Sequence, residues 1–228
     1  MKSIQSIEVY IETGKKRVFA GAIDWPGWCR SGRDEGAALG ALLEYGSRYA
    51  QALRRTDLGF RAPQDVSALT VVERLEGTGT TDFGAPDIPP YSDDRPLSAA
   101  DLKRLRELLQ ACWAAFDDSV QAASGVELRK GPRGGGRDLD KIVQHVQGAD
   151  EAYLSKLGWK VDIKEADGPG ESMRLIRQGI LDGLDAAVAG QIPERGPRGG
   201  THWSPRYFVR RSAWHVLDHA WEIEDRAS

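Results

Sequence analysis

Three of the four histidines in this chain have positions from which they could hold a metal ion together. His215 and His219 lie in AWHVLDHAWEIED (213–225), where a spacing of four residues puts both on one face of a helix. Two histidines do not complete a catalytic zinc-type centre, which takes three protein ligands and keeps one position for water or substrate. His145 is the candidate third ligand because it falls on the apolar, inward-facing side of another predicted helix.

Two of the carboxylates in the same segment could serve the histidine pair. Glu222 follows His219 by three residues and could orient a histidine, act as a general base or become a fourth ligand. A surface ion pair with Arg226 at i+4 is the alternative interpretation. Asp218, three residues after His215, is a second candidate for a catalytic or supporting role, with a surface charge as its alternative.

The pentapeptide GPRGG occurs twice, at 131–135 and at 196–200, each time before a predicted helix. If those two helices are parallel, both loops lie at one end of the helical part. Their arginines would then gather near helix N-termini, where the backbone N–H groups and the dipole favour an anion. The arginines concerned are Arg133, Arg137, Arg195 and Arg198. We therefore expect an acidic small molecule to bind there, and two flexible, solvated loops are the alternative.

Periodicity predicts a two-domain α+β protein. Residues 1–76 have the pattern of a small ββαβ domain, with strands in IEVYI, RVFAGAIDW and SALTVVERL and a helix before the last of them. Residues 77–97 are rich in Gly, Pro, Thr and Asp and are the predicted linker. Residues 98–228 contain four amphipathic helical patterns, for which an up-down-up-down four-helix bundle is the economical packing.

Start signals accompany these helices, which are predicted at about 98–123, 139–157, 172–188 and 204–226. Ser98 and Asp101 resemble a capping box, Asp138 is a good N-cap, and Pro205 is typical of a first helical position.

The predicted topology also bears on the histidines. If the second and fourth helices are parallel, His145 lies about 10 Å and His215 about 15 Å along its own helix, at 1.5 Å per residue. The three histidines are then expected to converge at similar depth.

Composition limits the other classes of function. The net charge of −3 and the pI near 5.9 give no bulk attraction to nucleic acid, and the Arg-Gly stretches are short and lack interleaved aromatic residues, so nucleic-acid binding is not expected. MKSIQSIEVY has no continuous apolar region, and no segment approaches the roughly 18 apolar residues of a spanning helix. We expect neither secretion nor membrane insertion, and a cytoplasmic location. Cys29 and Cys112 are too few for a disulfide framework.

The run RRSAWHVLDHAWEIEDR, together with HV in the second predicted helix, resembles the DinB-like superfamily, which includes thiol-dependent S-transferases. The resemblance covers about residues 98–228. In that family one histidine of the second helix and an i, i+4 pair on the last helix bind a divalent metal, which implies His145, His215 and His219 here. It also implies a low-molecular-weight thiol as cosubstrate.

The stretch AGAIDWPGWCRSGRDEGAALGALL resembles HicB-like antitoxin domains, in which two strands and a proline-glycine turn precede a helix rich in alanine and leucine. The resemblance implies an interaction with protein or RNA. It implies no catalytic residues, and the helical part stands where HicB antitoxins commonly carry a DNA-binding segment.

The sequence therefore predicts an enzyme in which zinc or nickel, both suited to imidazole ligands, activates a thiol or water for S-transfer or hydrolysis. One alternative is a non-catalytic binding module whose N-terminal domain contacts protein or RNA while the helices are structural. Another is a purely structural metal, which requires a fourth protein ligand such as Glu222 or His202. Homodimerisation is compatible with both halves of the chain.

Overall fold

The structure, a computed structural model, describes residues 6–130, 136–164 and 166–227. The chain divides into two compact units, the first ending at Arg95 and the second beginning at Pro96. The first unit contains a four-stranded sheet, and the second contains four long helices. In the described ranges, no helix has the length and apolar character needed to cross a membrane.

The first unit is built on a mixed sheet with strand order β3-β2-β1-β4. Its strands are β1 (Ile7–Thr13), β2 (Val18–Ala22), β3 (Cys29–Gly32) and β4 (Leu69–Glu76). Strand β1 pairs antiparallel with β2 and parallel with β4. The crossover between these parallel strands contains α1 (Glu35–Glu44), α2 (Gly46–Ala52) and a short 3₁₀ helix (Val66–Ala68).

The predicted ββαβ pattern omits one strand. Strand β3 lies between β2 and α1 in the chain and pairs antiparallel with β2. Only Cys29 is buried among the four residues of β3, so this strand has no alternation of apolar and polar positions that a sequence pattern could reveal.

Residues 77–95, predicted to belong to a linker, are part of the first unit. They contain α3 (Gly79–Phe83) and a 3₁₀ helix (Tyr91–Asp94). The fully buried carboxylate of Glu12 on β1 holds this segment by accepting hydrogen bonds from the backbone N–H groups of Asp87 and Ile88 and from the Thr81 hydroxyl. Hydrogen bonds, rather than a stripe of apolar side chains, hold the segment in place. Its sequence therefore has the composition of a linker.

The second unit has four long helices, close to the predicted bounds. They are α4 (Ala99–Ala122), α5 (Leu139–Leu157), α6 (Pro169–Val188) and α7 (Pro205–Ala227). The capping box of Ser98 with Asp101 and the N-cap of Asp138 are confirmed. Helix α6 begins three residues earlier than predicted because Pro169 occupies a first-turn position, where its missing N–H has no helical partner to lose.

Helices α4 and α7 run in the same direction. Near their starts, Arg206 donates a hydrogen bond to Asp101, with 2.8 Å between nitrogen and oxygen. Near their ends, the Ser119 hydroxyl contacts the Glu224 carboxylate at 2.9 Å.

Helices α5 and α7 run in opposite directions. The Arg226 guanidinium at the end of α7 donates to the carbonyl oxygen of Arg137, just before α5 begins. At the other end, the N–H of Trp203, just before α7, donates to the carbonyl oxygen of Lys156 at the end of α5. The predicted up-down-up-down order is therefore wrong, because it requires these two helices to be parallel.

Helix α6 runs opposite to α4, since Arg177 pairs with Asp117 and Arg106 pairs with Asp185. Helices α5 and α6 consequently share a direction. Residues 158–164 make this arrangement possible by running back along α6, with Trp159 against Gly183 and Val161 against Gly179.

Candidate metal centre

Helices α5 and α7 bring His145, His215 and His219 together. One potential ligand atom from each ring lies within 4.8 Å of the others. The Nε2 atoms of His145 and His215 are 3.2 Å apart. The convergence is predicted correctly although the helix directions are not, because His145 near the start of α5 lies beside the later turns of an antiparallel α7.

The separation of His145 and His215 fits a divalent metal. A tetrahedral ion with metal–nitrogen bonds of about 2.0–2.1 Å separates its ligand nitrogens by about 3.3–3.4 Å. The 3.2 Å distance between His145 and His215 is close to that value. It also equals an ordinary hydrogen bond, in which one ring donates its Nε2–H and the other accepts. In both arrangements the Nε2 atoms of His145 and His215 are neighbours.

The cluster is buried on the α7 side and open on the α5 side. His215 and His219 are 7% and 8% exposed, whereas His145 is half-buried. Burial lowers the pKa of His145 and lowers that of His215 well below its ordinary value, and the neighbouring His219 acts in the same direction. The neutral imidazole, which is the form that binds a metal, is therefore favoured at these two positions.

Glu222 orients the third ring. Its carboxylate lies 2.8 Å from Nδ1 of His219, which leaves Nε2 of that ring available to the cluster. The hydrogen bond with His219 is the main cause of the lowered pKa of Glu222, and a second bond with Arg226 adds to it. Arg226 also donates to the carbonyl oxygens of Arg129 and Arg137. The predicted orienting contact and the predicted ion pair therefore occur together.

Aromatic side chains surround His215. The ring of Tyr153 on α5 stands edge-on to it with centroids 5.7 Å apart, and the ring of Trp214 lies at 6.1 Å. The guanidinium carbon of Arg211 is 5.6 Å from the Tyr153 ring centroid and 4.8 Å from that of Trp214. Nδ1 of His215 is buried and has no hydrogen-bond partner among the described residues.

Sequence reasoning missed Tyr153 and Arg211 as neighbours of the cluster. Arg211 precedes His215 by four residues, so the helical spacing that linked the two histidines of α7 also placed this arginine on the same side of the helix.

The predicted arginines do not gather at one end. Arg137 lies at the start of α5, exposed, and its charge helps to lower the pKa of His145. Arg198 belongs to the segment around the isolated bridge between Arg195 and Thr201, which precedes α7. Since α5 and α7 are antiparallel, their starts are at opposite ends, and the predicted cluster is wrong in this respect. Arg133 lies outside the described residues.

Two other candidates lie outside the group of ligand atoms. Asp218 is half-buried on α7 between the two histidines, and its carboxylate is not part of the cluster found in the described ranges. Nδ1 of His202 lies 2.7 Å from the carbonyl oxygen of Pro193, close to Gly158 at the far end of α5. His202 is therefore not a fourth ligand in this structure.

Comparisons with known proteins leave the site to be judged on its own geometry. No family model, curated protein or solved structure matches this chain.

Proposed function

We propose that the second unit is a metal-dependent enzyme in which zinc or nickel is held by His145, His215 and His219 and activates a thiol or water for S-transfer or hydrolysis. The observation that carries the proposal is the convergence of three imidazoles from two helices, with ligand atoms within 4.8 Å and one side of the cluster open. Three protein ligands with an accessible side are typical of a catalytic rather than a structural zinc site.

A bound divalent metal supplies one kind of chemistry here: it lowers the pKa of a coordinated water or thiol, so that either becomes a nucleophile near neutral pH. The chain's own side chains would hold the metal and orient its ligands. Glu222 accepts a hydrogen bond from Nδ1–H of His219 and so fixes the tautomer and the direction of that ring. Asp218, half-buried on the same helix, is the second carboxylate that we propose serves the site as a proton acceptor.

A thiol substrate would come from solution. Cys29 and Cys112 are both buried, and burial raises the pKa of the Cys112 thiol far above its ordinary value. Neither cysteine is suited to act as the nucleophile. The positive charge of Arg137 beside the histidines favours an acidic small molecule as the second reactant.

The helical unit is proposed to be a DinB-like four-helix bundle. Contacts of α7 with α4 and with α5, together with those of α6 with α4 and with α5, support a closed packing of the four helices. In this bundle α4 and α7 run in one direction, and α5 and α6 run in the opposite direction.

The test is an activity screen of the zinc-loaded and nickel-loaded protein for transfer of small thiols and for hydrolysis, with the His215→Ala variant beside it. We expect activity that requires added metal and disappears in the variant. Activity that is the same in the variant would refute the proposed mechanism.

A further inference from the structure

The structure contains a buried cation beside the histidine cluster. Arg211 lies on α7 one helical turn before His215, and only 9% of it is exposed. Its guanidinium carbon is 5.6 Å from the ring centroid of Tyr153 and 4.8 Å from that of Trp214. Building on the proposed function, we infer that Arg211 binds the carboxylate of the substrate and thereby selects small acidic thiols or acidic hydrolysable substrates.

The position of Arg211 connects it to the metal ligands. Both aromatic rings beside its guanidinium also contact His215, with centroid distances of 5.7 Å for Tyr153 and 6.1 Å for Trp214. Tyr153 is half-buried, as is His145, so solvent reaches the cluster on the side where these two residues of α5 lie. A ligand that enters there meets the histidines and Arg211 together.

Burial makes Arg211 a stronger anchor than Arg137. Arg137 is exposed at the start of α5, so water and salt screen its charge and a bound ligand must immobilise a mobile side chain. Arg211 is in a less polar environment, where the same charge acts more strongly, and two aromatic faces already hold its planar group.

The spacing along α7 favours a small substrate. Arg211 and His215 are four residues apart on α7, which corresponds to a rise of about 6 Å at 1.5 Å per residue. Because the two residues are neighbours on one helix face, short ligands with one or two carbon atoms between the metal-binding atom and the carboxylate are the probes of choice. Mercaptoacetate and 3-mercaptopropionate have this geometry, with a thiol at one end and a carboxylate at the other.

The experiment compares these acids with alcohols of matching length. The full-length protein is loaded with cobalt, and thiol binding is followed by the thiolate-to-cobalt absorption band. The probes are mercaptoacetate against 2-mercaptoethanol, and 3-mercaptopropionate against 3-mercapto-1-propanol. For at least one length we expect the acid to bind about tenfold more tightly than the alcohol, as charge-assisted hydrogen bonds allow.

Arg211→Met should remove this preference while leaving cobalt affinity within about threefold of the wild type, a change below the tenfold step of 1.4 kcal/mol. Arg137→Met should reduce the preference less. Arg174→Met, which removes the same charge from an exposed ion pair with Glu171 on α6, is the matched control and should keep the preference. If Arg211→Met does not fold, Arg211→Gln keeps a polar head group and must lose the preference as well.

Three results would overturn the inference: equal affinity for acid and alcohol at both lengths, a preference that survives in Arg211→Met and Arg211→Gln, or a larger loss in Arg137→Met. Failure of the proposed function looks different. In that case the wild-type protein takes up no cobalt, or the cobalt-loaded protein shows no thiolate band and catalyses no hydrolysis.

Discussion

The Nε2 atoms of His145 and His215 lie 3.2 Å apart although their helices run in opposite directions. This distance is close to the separation of two ligands on one tetrahedral metal. It depends on the pairing of α5 with α7, which the Arg226 side chain fixes at one end and the Trp203 backbone at the other. The helix pair, rather than a flexible loop, therefore positions the proposed metal site.

Replacing Glu222 should weaken metal binding without destroying it. Loss of a carboxylate that orients a ligating histidine costs about 10- to 100-fold in metal affinity. We expect Glu222→Ala to fall in that range and Glu222→Gln to lose less, because its amide oxygen can still accept a hydrogen bond from His219. Competition with a chromophoric zinc chelator measures the affinity. Glu224→Gln, two residues further along α7, is the control, and an equal loss there would contradict the assigned role.

Arg226 should contribute to stability as well as to the site. It donates to Glu222 and to the carbonyl oxygens of Arg129 and Arg137, so it joins the end of α7 to the segments before α5. We expect Arg226→Met to lower the free energy of unfolding by on the order of 2 kcal/mol, measured in urea, because three acceptors lose a charged donor. Arg174→Met should change it by about 0–1 kcal/mol, as for other exposed ion pairs. Similar values for the two variants would argue against this role.

Asp150 should make stability depend on pH. Its carboxylate on α5 is fully buried, both oxygens lack a partner among the described residues, and burial raises its pKa from 3.8 to about 7 against the opposing charge of Arg177. Between these pH values the folded state holds a proton that the unfolded state releases. The contribution of Asp150 to the free energy of unfolding is therefore fully present below pH 4 and is lost as the pH rises to about 7. The loss amounts to at most about 4 kcal/mol at 1.36 kcal/mol per pKa unit.

The Asp150→Asn variant isolates this effect. Asparagine does not titrate, so the variant should lose less stability than the wild type between pH 4 and pH 7 in a series of urea titrations. Parallel pH profiles for the two proteins would show that Asp150 is not the group responsible.

Glu12 should hold residues 77–95 on the first unit. Its carboxylate accepts hydrogen bonds from two backbone N–H groups and one hydroxyl. Glu12→Ala leaves these donors without a partner, and we expect a loss on the order of 3 kcal/mol together with faster proteolysis between residues 77 and 95. Glu8→Ala, on the same strand, is the control. Unchanged protease resistance in Glu12→Ala would contradict the anchoring role.

Some features of the second unit were predictable from local chemistry. Ser98 with Asp101 and Asp138 mark helix starts because their side chains satisfy backbone N–H groups, and this signal is contained in a few neighbouring residues. The histidine pair of α7 was visible for the same reason, since i, i+4 spacing fixes a shared face. The HicB-like interpretation of the first unit stays a prediction.

Helix direction was not predictable in this way. An amphipathic stripe identifies the buried face of a helix but not the end from which a neighbour approaches. The direction of α6 depends on the path of residues 158–164, where Trp159 and Val161 pack against the small residues Gly183 and Gly179. The same limit explains the error over Arg137 and Arg198, which lie at the starts of two antiparallel helices.

Metal content of the full-length protein, purified without a histidine tag, tests the central proposal most directly. Elemental analysis should find about one equivalent of zinc or nickel in the wild type, as a single three-histidine centre requires. The same amount should remain in His202→Ala, whose histidine lies outside the cluster, and it should be lost in His145→Ala. No metal in the wild type even after zinc or nickel is added, or full metal content in His145→Ala, would contradict the proposed metal centre.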